Sequence, residues 1–307
     1  NSSGKTSLIQ TILLLKQTVE STDRSRVLHL GDDRSYVDLG TIYDVVHSHT
    51  IPAIMTFDLH WRPKKPLRIQ NPENNTRLFD IQELAFQAQI AVDLEGAHVE
   101  SFINRFRSKE DDYSFGMTRT EPGGNGSRQQ GRYELNSEGY ELKRNRGRPW
   151  ELPPPVRFYG FPDQVNAYYQ NTGFLAELSL ALEEFLQSVY YLGPLREYPR
   201  RSYVWAGEQP QDVGRRGELA IPALLAADRQ GKQIRRGKGK PRMTVSERVA
   251  QWLRELGLIH SFSVRQIADN RKDYEVRVKR TAASTEVALT DVGFGVSQIL
   301  PVLTLCY

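Results

Sequence analysis

Hydrophobic positions recur at helical spacing near the start of the chain. Leu8, Ile9, Ile12, Leu13, Leu15 and Val19 fall on one side of a helix drawn over residues 4–20. The pattern then shortens. Residues 27–30 read as a strand, 31–33 as a turn, 41–47 as a short helix capped by Thr41, and 53–61 as a strand. Phe86, Ala88, Ile90, Val92 and Leu94 alternate with mostly polar residues, the period of a half-buried strand. Residues 133–135 and 140–142 flank Ser137-Glu138-Gly139 and predict a hairpin. The stretch 27–142 is therefore expected to be largely antiparallel β, with a polar, Gly-rich mobile loop over 109–131. Residues 144–155 turn basic and then Pro-rich, and read as a linker.

Helical spacing returns at 172–190, where Phe174, Leu175, Leu178, Leu182, Phe185 and Val189 share a face. Residues 190–195 read as a strand running into Gly193-Pro194. Residues 217–228 read as a helix with Pro222 in its first turn. Thr244-Val245-Ser246-Glu247 is a capping box for an amphipathic helix that Gly257 ends. Tyr274, Val276 and Val278 predict one strand, and Val287 and Leu289 another. The apolar run 299–305 predicts a buried helix. Two domains are expected, 1–150 and 151–307.

The chain has 307 residues, 39% of them hydrophobic, which is enough for a sizeable core. Its one cysteine, Cys306, excludes a disulfide framework and a cysteine-based zinc site, and fits the cytoplasm. No apolar run approaches the ~20 residues of a membrane span, so no membrane partner is expected. The net charge of +4 hides a run of seven cations without an acid: Arg229, Lys232, Arg235, Arg236, Lys238, Lys240 and Arg242. Nucleic-acid contact and a solvated loop are both open there. Arg196, Arg200 and Arg201 with Tyr198 and Tyr203 form a second basic-aromatic cluster, open to nucleotide or to surface packing. His47, His49 and His60 match no metal-site spacing. Asp111-Asp112 and Glu183-Glu184 read as solvated acid pairs, since helical neighbours do not share a face.

The chemistry is concentrated at the first residues, Asn1-Ser2-Ser3-Gly4-Lys5-Thr6-Ser7. Gly4-Lys5-Thr6 supplies the second half of a phosphate-binding loop, G-x-x-x-x-G-K-[ST], running straight into a helix. Free N–H groups and the positive dipole end of that helix would hold phosphates. Asn1, Ser3, Gly4, Lys5, Thr6 and Ser7 are the expected nucleotide-binding residues. Lys5 would reach the β- and γ-phosphates, and the Thr6 hydroxyl would ligate Mg²⁺. A second glycine turn meets a helix start at Val292-Gly293-Phe294-Gly295-Val296-Ser297-Gln298.

These two motifs, with Leu192-Gly193-Pro194-Leu195-Arg196, resemble bacterial AAA ATPases of the SMC/RecF/OLD-like, ABC-type group. The closest variety carries a C-terminal domain of unknown function and often sits in prokaryotic defence loci. The resemblance implies an α/β P-loop NTPase of ABC-ATPase type, interrupted by an antiparallel β region and a helical insertion. It implies ATP and Mg²⁺ as cofactors and an ATP-sandwich dimer or higher oligomer. It places Gly293, Gly295 and Ser297 on the γ-phosphate held by the partner copy, and Asp38 near a Q-loop-like connector. Family members carry a strand before the P-loop, and a Walker B strand, catalytic Glu and switch His after the signature. The sequence is therefore expected to be cut at both ends, with the catalytic carboxylate outside it. The implied activity is ATP hydrolysis controlling an effector such as a nuclease in anti-phage defence. A nucleotide-binding scaffold without turnover, and a DNA-repair or chromosome-maintenance head, are the alternatives.

Overall fold

The computed structural model describes residues 4–71, 76–120, 131–147, 151–235, 237–239 and 241–307. The chain divides into two compact units, 1–189 and 190–307. The division falls at Val189/Tyr190 rather than at the expected 150/151. The reason is burial: Leu152, inside the supposed linker, and Phe158 and Tyr159, just past it, are all in the first unit's core.

The first unit opens with helix α1 (Lys5–Glu20) and the short α2 (Ile42–Val45), which has the Thr41 capping box with Asp44. Strand β1 is Ala53–Trp61, and β2 (Leu67–Gln70) and β3 (Arg77–Ile81) form a separate hairpin. Strands β4 (Leu84–Asp93), β5 (Gly96–Ser108), β6 (Asp111–Thr120) and β7 (Arg132–Glu138) complete a five-stranded antiparallel sheet, ordered β1-β4-β5-β6-β7. Helices α3 (Gln164–Tyr168) and α4 (Leu175–Gln187) follow. One sheet face is apolar and buries Phe57, Phe86, Ile90, Phe102, Phe106, Phe115 and Met117. Each such side chain contributes about 1.5–3 kcal/mol when fully buried. Phe79 meets Phe106, Tyr113 and Phe174 edge-on, and Trp61 stacks on Phe185 of α4 at 5.1 Å.

Several sequence expectations change here. The loop expected over 109–131 is strand β6 for residues 111–120; residues 121–130 lie outside the described residues. Its polar outer face, Asp112 and Thr118, hid an inner face of Phe115 and Met117 at 0% exposure. The expected hairpin is a single strand, β7, paired with β6. Gly139 (φ 77°) ends it in a turn so close to the Asp112 carbonyl that a Cβ would lie 2.6 Å from that oxygen. Residues 27–30 form no strand because side chains of α1 take their backbone groups. The Thr18 hydroxyl accepts from His29 N–H (2.8 Å), and Gln17 Nε2 donates to the His29 carbonyl (2.6 Å).

The second unit holds β8 (Tyr203–Val204), α5 (Ala220–Arg229), β9 (Gln233–Ile234), β10 (Met243–Thr244) and α6 (Val245–Glu255). Strands β11 (Ser261–Gln266), β12 (Asp273–Lys279) and β13 (Val287–Ala288) lead to α7 (Phe294–Leu305). β12 lies between β11 and β13 and also pairs with β8; β9 pairs with β10. Pro222 sits in the first turn of α5, and Thr244 caps α6 with Glu247 as the sequence predicts. Residues 190–195 form no strand; Gly193 N–H bonds the Arg215 carbonyl (2.7 Å) instead. The second core joins Ile221, Leu224, Val249, Leu253, Val276, Val278 and Leu300. The fold is mixed α/β, and all paired strands among the described residues are antiparallel. No helix among them is long and apolar enough to cross a membrane.

Candidate functional site

Gly4 takes the left-handed conformation (φ 71°, ψ −1°) that glycine adopts without a Cβ penalty, and turns the chain into α1. The first helical bond runs from Leu8 N–H to the Gly4 carbonyl (3.2 Å), so the N–H groups of Lys5, Thr6 and Ser7 have no intrahelical acceptor. Among the described residues no side chain caps this end, and no acid stands in the first turn to oppose an incoming anion. Residues 4–9 are all exposed, which leaves the Lys5 ammonium and Thr6 hydroxyl open. Asn1 and Ser3 lie outside the described residues.

The other half of α1 is fixed. Leu13 to Val19 are buried, and the polar members of that run have specific partners. Lys16 meets Glu20 (2.7 Å) and the Gln187 carbonyl (3.2 Å), and lies over the Tyr36 ring. Gln17 also accepts Val37 N–H (3.2 Å). Arg157 donates to the carbonyls of Val19 and Ser21 and to Tyr159 Oη, which in turn donates to Glu183 (2.5 Å). Burial and the Glu183 carboxylate push the Tyr159 phenol well up. Glu183 is thus a half-buried acceptor rather than half of a solvated pair. The sequence reading missed Lys16, Gln17, Thr18 and Arg157. The available signal was three consecutive polar residues inside an otherwise apolar helical run.

Asp38 is exposed, and its Oδ1 accepts Gly40 N–H (3.0 Å) in a local turn. Its neighbour Val37 is tied to Gln17, about 18 Å along the helix from Lys5 at ~1.5 Å per residue. His49 Nδ1 is bonded to the Tyr43 carbonyl, and His60 pairs with Asp58 at 3.0 Å. Among the described residues no group of three or more His, Cys, Asp or Glu is placed to hold a metal ion. Asp112 is paired with Arg107 (3.0 Å).

In the second unit, a 3₁₀ turn at Leu289–Asp291 leads to Gly293, the N-cap of α7. This helix start also lacks a side-chain cap and a first-turn acid. Gly293, Phe294 and Gly295 are exposed. Ser297 is not: it is 6% exposed, and its hydroxyl donates to the Phe294 carbonyl at 2.8 Å. The Ser297 hydroxyl, expected on the γ-phosphate, is therefore turned back onto its own helix, a habit of Ser inside helices. An open pocket of about 510 Å³ lies against Gly293 and Gly295, with Arg280, Ser284 and Thr285 on its wall. Arg280 belongs to no sequence motif and was missed.

The basic stretch is partly tethered. Arg229 covers the Trp205 ring at 5.7 Å, and Lys232 Nζ donates to the Tyr307 carbonyl. Strands β9 and β10 close the loop between them, on which Arg235, Lys238 and Arg242 are exposed; Arg236 and Lys240 lie outside the described residues. In the other cluster Arg200 is paired with Glu197, Arg201 with Asp291 (3.5 Å), and the Tyr203 hydroxyl accepts Arg200 N–H. Exposed Tyr198 lies beside Phe294, ring centres 5.6 Å apart.

No protein-family model, curated protein or solved structure matches the chain.

Proposed function

We propose that the chain is the nucleotide-binding head of an ABC-type P-loop ATPase of the SMC/RecF/OLD-like group, acting in the cytoplasm. In this reading it binds ATP with Mg²⁺ and closes as a dimer or higher oligomer. That closure controls an effector such as a nuclease, in defence against phage or other foreign DNA. The observation that carries the reading is the start of α1: an uncapped, acid-free, exposed helix end, entered through a left-handed Gly4 and followed by Lys5-Thr6.

These residues fit a Mg²⁺-bound triphosphate. The N–H groups of Lys5, Thr6 and Ser7 point along the helix axis and suit phosphate oxygens. Lys5 supplies a mobile point charge, and Thr6 a hydroxyl suited to a hard cation. Bound ATP supplies a γ-phosphoryl group whose loss to water changes the charge that two copies share. The start of α7 in a second copy takes the other side. There the N–H groups of Phe294 and Gly295 replace the Ser297 hydroxyl as the donors, with Arg280 close by. Charge-assisted hydrogen bonds of this kind contribute about 1.5–3 kcal/mol each, so a few bias the equilibrium towards the closed dimer. Arg235, Lys238 and Arg242 are the exposed cations for a nucleic-acid partner.

Ser297 favours a second reading, a nucleotide-binding scaffold without turnover, because its hydroxyl is withdrawn from the helix start. Phosphate release separates the two. A slow, ATP-dependent release, lost in Lys5→Ala, supports the ATPase. ATP binding without release supports the scaffold. A DNA-repair or chromosome-maintenance head would use the same chemistry on a different effector.

A further inference from the structure

The first unit contains a concave feature of its own, beside β7, the last strand of its sheet. Residues 143–145 run beside 168–171: Asn145 N–H donates to the Tyr168 carbonyl (2.8 Å), Gln170 N–H to the Lys143 carbonyl (2.8 Å), and Asn145 Nδ2 to the Ala167 carbonyl (2.7 Å). Between this pair and β7 lies a groove of about 960 Å³. Its wall carries Tyr168, Arg132, Arg144 and Arg146, while Tyr169 beneath them is buried in the core. Arg132 is neutralised by Glu151 at 2.8 Å. Arg144 and Arg146 are exposed and make no ion pair among the described residues; the Arg144 guanidinium lies 5.7 Å from the Tyr169 ring centre.

We propose that this groove binds a short stretch of single-stranded nucleic acid. The half-buried Tyr168 beside two exposed guanidinium groups is what an unpaired base and its flanking phosphates require. The volume is at the upper end of the ~300–1,000 Å³ of small-ligand pockets, far more than a lone phosphate fills. An extended peptide suits the groove less well. Such a peptide adds by main-chain bonds to a strand edge. Here the backbone of 143–145 is already bonded to 168–170, and Tyr133 of β7 to the Leu152 carbonyl (3.3 Å). A duplex offers phosphates but keeps its base faces stacked, so Tyr168 would gain nothing from it.

The test is fluorescence anisotropy of the full chain with a short fluorescein-labelled oligothymidylate, its abasic analogue and a labelled duplex of equal length. The single strand should bind best. Two phosphate contacts predict a slope of log affinity against log salt of about −1.4, at ~0.7 per phosphate. Arg144→Ala/Arg146→Ala should weaken binding roughly tenfold or more. Tyr168→Leu should weaken the oligothymidylate and not the abasic strand. Arg146→Glu touches an exposed residue, so it tests the charge without endangering the fold. Circular dichroism checks every variant. Lys5→Ala should leave the affinity unchanged, which separates this groove from the nucleotide site. The proposal is overturned if the duplex binds as well as the single strand, or if the wild type binds none of the three probes. It is also overturned if folded groove variants keep wild-type affinity, or if only Lys238→Ala/Arg242→Ala loses it.

Discussion

Arg157 Nη1 donates to the main-chain carbonyl of Val19 at 2.7 Å, and so caps the C-terminal end of the helix that begins with Lys5-Thr6. That helix has no basic residue in its own last turn. The guanidinium supplies the missing positive charge where the helix dipole is negative. Arg157 itself sits at φ 55°, in the left-handed region. Arg157→Ala is expected to cost about 2–4 kcal/mol, because it removes several charge-assisted bonds at once. Arg157→Gly should cost about 1 kcal/mol less, since glycine takes that φ freely. Urea unfolding checks both; equal losses would contradict the backbone part of the argument.

Asn104 lies on the apolar face of β5, paired across the sheet with Phe86 and Phe115. It is 1% exposed, and its Nδ2 has no hydrogen-bond partner among the described residues. A buried donor without a partner is a standing cost. Asn104→Leu, of similar size, is expected to stabilise the protein by about 1–2 kcal/mol. A raised melting temperature is the expected result, and a lowered one would show that the amide is in use.

Tyr133 ties β7 to β5 through its hydroxyl, which donates to the Val99 carbonyl (2.6 Å). Burial pushes its phenol up to about 12. The unfolded chain ionises this group near pH 10, while the folded one keeps it neutral. The stability it contributes is therefore whole below pH 10 and is lost as pH rises from about 10 to 12. Tyr133→Phe should lower stability modestly at neutral pH and flatten the fall above pH 10. Denaturant midpoints measured across that range check the sign.

Much of this architecture was legible where one physical signal dominated. Strand 53–61, the Thr41 and Thr244 caps and Pro222 in a first turn all follow from local rules, and the structure has them. β6 was illegible because its outward Asp112 and Thr118 read as a solvated loop, while burial of Phe115 and Met117 depends on β5 beside them. Residues 27–30 failed for a different reason. Their backbone partners are the side chains of Gln17 and Thr18, a tertiary relation that no local pattern carries. The glycine turns at Gly4 and Gly293 were visible, and both do open helices at exposed ends. The inward turn of Ser297 and the approach of Arg280 were not, because both depend on packing in the second unit.

That inward turn changes which variant probes the second helix start. Ser297→Ala removes a hydroxyl bonded to its own helix, and should leave ATP-dependent dimerisation almost intact. Ser297→Arg buries an unpaired cation and should mainly unfold the second unit. Gly295→Arg is the informative change, since Gly295 is exposed and nothing lies within 4 Å of an added Cβ. Light scattering should show a folded protein that binds ATP but stays monomeric. Normal dimers in Gly295→Arg would remove α7 from the interface.

The most direct measurement is ATP affinity of the protein, wild type against Lys5→Ala, by titration calorimetry with Mg²⁺ present. Lys5 is exposed, so its removal should spare the fold. The uncapped helix that begins at Lys5 predicts that Lys5→Ala weakens ATP at least roughly tenfold, the loss of about one charge-assisted contact. ATP affinity unchanged in a folded Lys5→Ala protein would contradict the phosphate-binding assignment.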